Sequence, residues 1–135
     1  MKLRIILEKD GNEFWGRIND IPEFFPSTLG SSVQEVTQNI TGLIKSYLQQ
    51  EGKDNAFFTG VDADSIEYGY AYDLQAFFEE YQAIKISSIA KQADMNPALV
   101  RHYAAGIKHA SEAQVRKIEE AVHQLGRKLI EVHLV

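Results

Sequence analysis

The segment Ser87-Ser-Ile-Ala-Lys-Gln-Ala-Asp-Met-Asn-Pro-Ala-Leu-Val-Arg-His-Tyr103 has the pattern of two short helices joined by a tight turn. Asn96 suits the cap of the second helix, and Pro97 suits its first position because the missing N–H would be unpaired there. Asp94 lies where such a turn often needs a left-handed residue, which Asp tolerates better than most residues. The spacing predicts a helix-turn-helix, a unit that commonly binds DNA.

Apolar residues lie where the two helices would face each other. Ala90 is small enough to let the helices cross closely, but ordinary helix pairs that only pack have the same pattern. DNA binding and simple packing are therefore both open from this segment alone. The facing residues are Ile89, Ala90 and Ala93 on the first helix and Met95, Leu99, Val100 and Tyr103 after the turn.

Further helices are predicted on both sides of this segment. Ser111 and Gln114 form a capping-box pattern, and the helix that follows is expected to stop at Gly126. Asp73 suits the cap of an upstream helix. Residues 73–126 therefore resemble the helical DNA-binding domain of phage repressors. The apolar positions of these helices are Leu74, Phe77, Phe78 and Tyr81, then Val115, Ile118, Val122 and Leu125.

Charge is distributed unevenly along the chain. Residues 1–80 contain six Lys and Arg against fourteen Asp and Glu, a net charge of −8, whereas residues 81–135 have eight against five, a net charge of +3. DNA repels an acidic surface, so the basic part is the one suited to bind it. The asymmetry is modest, and we expect affinity to need a dimer.

The first part of the chain has the alternation of strands. Leu3, Ile5 and Leu7 alternate with polar residues, Asp10-Gly11 predicts a hairpin, and residues 13–19 predict the return strand. Ser32 begins a predicted amphipathic helix that ends at Gly52, and residues 65–72 predict a further strand. The predicted fold class is α+β, a small antiparallel β-β-α-β domain over 1–72 followed by an all-α helix-turn-helix domain over 73–135 with a C-terminal strand.

Two details of this prediction concern contacts. Gly42 within the first long helix costs up to about 1 kcal/mol relative to Ala and suggests a close approach to the sheet. Residues 127–135 alternate around Ile130, Val132 and Leu134 and predict a terminal strand. That strand is expected to pair with its copy in a homodimer, with a return to the edge of the N-terminal sheet as the alternative.

The runs Leu7-Glu-Lys-Asp-Gly, Gly16-Arg-Ile-Asn-Asp-Ile-Pro-Glu and Thr28-Leu-Gly-Ser-Ser-Val-Gln-Glu-Val resemble the HicB antitoxin family. Its members have a partial ribonuclease-H-like domain, and many append a DNA-binding domain. The chain departs from the family pattern at Pro22-Glu-Phe-Phe25 and at Val36. The resemblance implies an antitoxin that neutralises a HicA-like, mRNA-cleaving toxin and represses its own operon, as a cytoplasmic homodimer or higher oligomer. The acidic residues Glu8, Asp10, Glu13 and Asp20 would face the basic toxin.

Two other functions remain open from the sequence. The chain may instead be a stand-alone DNA-binding regulator whose N-terminal domain senses another protein or a ligand. It may also be a protein-interaction module without a role at DNA.

The helix-turn-helix geometry names the candidate DNA-binding residues. The start of the second helix meets base edges and flanking residues contact phosphates, with Arg101 suited to guanine and Ala98 to a thymine methyl group. The candidates at the groove are Asn96, Ala98, Arg101 and His102, and those at phosphates are Ser87, Lys91, Lys108 and His109.

Catalytic and cofactor patterns are absent. There is no Cys, no Gly-rich phosphate loop and no Gly-x-Ser-x-Gly elbow, and no spacing brings three carboxylates together for Mg²⁺. We expect no enzyme activity, no cofactor and no metal, and take His123 near Glu119 as a surface coincidence. The lack of Cys fits a reducing cytosol, and no apolar run suits a signal peptide or a membrane span.

Overall fold

The computed structural model describes residues 1–135, which form a mixed α+β structure with a four-stranded sheet and five α-helices. The chain divides into two compact units, Met1–Ala76 and Phe77–Val135. The sequence placed the boundary before Asp73, whereas here it lies within the helix α2, Leu74–Glu80.

The sheet is mixed, which corrects the prediction of an antiparallel one. Its strand order is β3-β2-β1-β4, with the first three antiparallel to their neighbours and β4 parallel to β1. The parallel pair arises because the long helix α1, Val33–Gln49, carries the chain back to the end of the sheet where β1 began. The strands are β1 Lys2–Asp10, β2 Glu13–Arg17, β3 Ser27–Gly30 and β4 Glu67–Tyr72.

The hairpin predicted at Asp10-Gly11 is confirmed. Gly11 has φ +58°, and the register pairs Asp10 with Glu13 across the turn. The strand β3 was not predicted, so the order is β-β-β-α-β rather than β-β-α-β. Four residues are too few to show a clear alternation, and β3 is recognised only by its pairing with β2.

The helix α1 packs on one face of the sheet and begins at Ser32, whose hydroxyl accepts a hydrogen bond from the Glu35 N–H at 3.0 Å. The predicted cap is therefore present. The core between helix and sheet contains Leu3, Ile5, Leu7, Phe14, Ile18, Ile21, Val33, Val36, Ile40, Ile44, Phe58, Ala63, Ile66 and Ala76.

The close approach of α1 to the sheet occurs at Gly16, not at Gly42. A Cβ atom on Gly16 would lie 2.2 Å from the Cγ1 atom of Val36, whereas one on Gly42 would meet nothing within 4 Å. Gly42 is exposed because it lies on the outer side of α1. The expectation for Gly42 was therefore wrong: the contact that requires a glycine is on the strand side.

The end of the first unit is tied to the sheet through Asp73. Its N–H donates to the Leu7 carbonyl at 2.9 Å, and its carboxylate accepts from the Ala76 N–H at 2.7 Å, as expected of a helix cap. Partial desolvation raises the pKa of the Asp73 carboxyl, and hydrogen bonds from the backbone of Ala76 and Lys9 oppose the rise.

The second unit consists of short helices and one long helix. It buries small and medium apolar side chains and the ring of Tyr103, and α3 packs against both α4 and α5. After the end of α2 the helices are α3 Ile86–Gln92, α4 Pro97–Ala104 and α5 Glu112–Ile130, and the buried side chains are Phe78, Ile89, Ala90, Val100, Tyr103, Ile118 and Ala121.

The predicted C-terminal strand is wrong. The helix α5 passes through Gly126 and ends at Ile130, and residues 131–135 form no strand. Gly126 lacks the positive φ of a helix-ending glycine, and Arg127, Lys128 and Leu129 after it favour a helix. No helix in the chain combines the length and apolar composition needed to cross a membrane.

Candidate nucleic-acid interface

The turn between α3 and α4 is a Schellman motif with an unusual residue at its left-handed position. The Met95 N–H donates to the Ala90 carbonyl at 2.9 Å, and the Asp94 N–H donates to the Lys91 carbonyl at 3.1 Å. Asp94 has φ +55°, as predicted from its place in the sequence. These bonds satisfy the last carbonyls of α3 and turn the chain sharply into α4.

The helix α4 begins as the sequence predicted. The Asn96 side-chain oxygen accepts a hydrogen bond from the Ala98 N–H at 2.8 Å, and Pro97 occupies the first turn. Val100 and Tyr103 are buried, while Leu99 is half-buried. One face of α4 is therefore held in the core, and the opposite face is left to solvent.

The end of α4 repeats the Schellman motif. Gly106 has φ +77°, its N–H donates to the Tyr103 carbonyl at 3.2 Å, and the Ile107 N–H donates to the His102 carbonyl at 2.9 Å. This second turn places Lys108 and His109 in the short loop directly after α4. Both are exposed.

A hydrogen bond joins the buried side of α4 to the start of α5. The Tyr103 hydroxyl donates to the side-chain oxygen of Gln114 at 2.6 Å. The same oxygen accepts from the Ser111 N–H at 3.2 Å, and the Ser111 hydroxyl accepts from the Gln114 N–H, which confirms the predicted capping box. The sequence indicated Gln114 as a cap but not as the partner of Tyr103, because that contact depends on how the helices pack.

The predicted DNA-binding residues differ in exposure. Ser87 in α3 and His102 in α4 are half-buried, which makes them less accessible than the rest. Ala98 and Arg101 are three residues apart on α4 and share its outer face. The exposed members of the set are Lys91, Asn96, Ala98, Arg101, Lys108 and His109.

The cations of this set are not engaged in ion pairs. Lys91, Arg101 and Lys108 have no carboxylate partner, whereas Arg116 on α5 pairs with Glu119 at 2.8 Å. An unpaired guanidinium does not have to break an existing contact before it meets a base or a phosphate. Arg101 therefore has the chemistry and exposure of a base-reading side chain.

Asn96 is partly committed to the fold. Its side-chain oxygen already holds the cap of α4, so the amide nitrogen is the group left for a ligand. A bidentate contact with adenine uses both the oxygen and the nitrogen of an amide. Asn96 is thus better suited to a single hydrogen bond than to reading a base by itself.

The acidic residues proposed for a protein partner lie on the first unit. Glu8 on β1 pairs with Arg17 on β2 at 2.7 Å, so part of its charge is already neutralised. Asp10 and Glu13 face each other across the hairpin, and Asp20 is exposed after β2. Asp10, Glu13 and Asp20 are the carboxylates of this set without a cation beside them.

The structure brings no three His, Asp or Glu side chains together in a group that could hold a metal ion. No protein-family model matches the chain, and no curated protein or solved structure is similar to it at a significant level. The arrangement of the residues themselves therefore has to support any function.

Proposed function

We propose that this protein represses transcription by binding operator DNA through α3 and α4, which form a helix-turn-helix, with α4 in the major groove. The observation that supports this most directly is the outer face of α4, where the unpaired Arg101 lies one helical turn from Ala98. This face stands between the two turns that carry Lys91 and Lys108, which suit phosphate contacts.

The charge of the second unit agrees with this role. Its net charge is +3 within a chain of net charge −5, so the basic groups are concentrated where DNA is proposed to bind. Non-specific attraction to phosphates depends on such local charge and weakens with salt. Two copies on a two-fold operator would supply the affinity that one small helix lacks.

The first unit, with its net charge of −8 over residues 1–80, is proposed to mask a basic protein. The resemblance to HicB antitoxins, with a partial ribonuclease-H-like domain, suggests a HicA-like toxin that cleaves mRNA in the cytoplasm. A nuclease that binds RNA presents positive charge, and an acidic surface accelerates its capture. The exposed Asp10, Glu13 and Asp20 are the candidate contacts.

The DNA-binding proposal is tested by titrating the full chain against the DNA upstream of its own gene, at two salt concentrations. Arg101→Ala is expected to cost about 1–3 kcal/mol of binding free energy. Arg101→Lys keeps the charge but loses the planar fork, so it should retain the salt dependence and lose sequence preference. Arg116→Ala is the matched control, because it removes an Arg from the same unit outside the proposed interface.

Equal losses in Arg101→Ala and Arg116→Ala would show only a general charge effect and would contradict a role of α4 in reading bases. The antitoxin role is tested by co-purification with the product of the adjacent gene and by the triple variant of Asp10, Glu13 and Asp20 to the amides. DNA binding without any toxin partner would instead indicate the stand-alone regulator.

A further inference from the structure

The helix α5 is longer than the unit it packs in. It contains 19 residues, against 7 in α3 and 8 in α4. At 1.5 Å per residue, α5 is about 28 Å long and the other two are about 10–12 Å long. The side chain of Gln92, the last residue of α3, hydrogen-bonds to Gln124. Beyond Gln124, no residue of α5 is fully buried.

The apolar face of α5 nevertheless continues past that point. Ile118, Val122, Leu125 and Leu129 follow one another at spacings of four, three and four residues, which keeps them on one side of a helix. Ile118 is 1% exposed and Leu129 is 61% exposed. The same face that packs in the core at one end is therefore uncovered at the other.

The uncovered part is large for a chain of this size. Its exposed apolar residues present on the order of 600 Å², at the top of the range for the largest apolar patch on a monomer. Each partner in an interface of standard size contributes about 800 Å². The residues are Leu129, Ile130, Val132, Leu134 and Val135.

Charges around this face do not select an acidic or a basic partner. Arg127 pairs with Glu120 at 2.8 Å, and both lie on the opposite side of the helix from Leu125 and Leu129. Lys128 and Glu131 nearby have opposite signs. A second copy presents the same nearly neutral apolar face, so the two do not repel each other.

We propose that a second copy of this chain covers this face, with the two α5 helices packed through Leu125, Leu129 and Val132 in a two-fold dimer. This dimer uses a helix in place of the terminal strand expected from the sequence. It deepens the proposed function, and rests on it only in one respect: the dimer would hold two α4 helices for the two half-sites of an operator.

Sedimentation equilibrium of the full chain without DNA tests the dimer. Leu129→Glu is expected to raise the dimer dissociation constant by at least about 30-fold, the effect of losing one central apolar contact. Ile107→Glu is the matched control, because Ile107 is 67% exposed in the same unit but lies in the loop after α4. It should leave the dissociation constant unchanged.

Cross-linking gives a second test that does not depend on a destabilising change. The chain has no Cys, so Leu129→Cys introduces a single thiol. A short bismaleimide should link two copies of this variant and leave Ile107→Cys monomeric. A monomer at every concentration, equal effects of the two glutamate substitutions, or equal cross-linking of the two cysteine variants would each overturn the proposal.

These results are separable from those on DNA. A chain that dimerises through α5 but binds no operator would retain the interface and refute the repressor. A monomeric chain that binds the operator through Arg101 would refute the α5 dimer alone.

Discussion

The hydroxyl group of Tyr103 donates a hydrogen bond of 2.6 Å to the side-chain oxygen of Gln114, and thereby fixes α4 to the first turn of α5. Tyr103 lies at the buried side of α4, opposite the face that carries Arg101. The orientation of the proposed recognition helix thus depends on a contact made behind it.

Tyr103→Phe is expected to lower the free energy of unfolding of the second unit by about 1 kcal/mol, because it removes this hydrogen bond and keeps the ring. Far-UV circular dichroism during denaturation measures the change. Tyr70→Phe serves as the control, since the Tyr70 hydroxyl meets Thr37 at an exposed site and its loss should cost little. Equal effects would mean that the Tyr103 bond does not fix α4.

Asp94→Gly is expected to stabilise the second unit by about 0.5–1 kcal/mol. Glycine accepts the positive φ without steric cost, and the change also removes an anion from the C-terminal end of α3, where the helix dipole disfavours it. Asp94→Asn separates the two causes, because it removes the charge and keeps a residue that tolerates this conformation. A loss of stability in Asp94→Gly would show that the carboxylate itself is needed.

Gly16→Ala and Gly42→Ala are expected to change stability in opposite directions. The first forces a Cβ into Val36 and should cost about 3 kcal/mol. The second adds a methyl group in open space on a helix and should gain up to about 1 kcal/mol. Trp15 is the only Trp of the chain and lies in the same unit, so its fluorescence reports both unfolding transitions. Similar effects of the two changes would contradict the packing described for Gly16.

Asp73 gives the first unit a pH dependence with a defined sign. Its folded-state pKa is raised, so the folded protein takes up this proton at a higher pH than the unfolded chain does. The contribution is therefore most favourable at low pH, and is lost as pH rises from the ordinary Asp pKa through the raised one. Asp73→Asn should remove this part of the pH dependence, while keeping an oxygen that accepts from Ala76. Unfolding titrations of both proteins across that window compare them, and parallel profiles would contradict the raised pKa.

Local features were predictable from the sequence because they depend on neighbouring residues only. The hairpin at Gly11, the caps at Ser32, Asn96 and Ser111, and the left-handed Asp94 each follow from a few consecutive side chains. The division of apolar residues on α4 between core and surface was foreseen for the same reason, since the period of a helix decides which residues share a face.

Features that depend on distant residues were not predictable. The parallel pairing of β4, the short β3, the clash that keeps position 16 a glycine and the bond from Tyr103 to Gln114 all require the packed chain.

The final residues show the same limit most clearly. Alternating apolar residues at 130, 132 and 134 suited a strand, but a strand needs an edge to pair with, and the four-stranded sheet ends without them. The sequence by itself determined the two-part organisation of charge and the local turns and caps, because these depend on composition and on neighbouring residues. Only the tertiary structure decided that α5 continues to Ile130 with an apolar face that nothing in the chain covers, because burial depends on which elements meet.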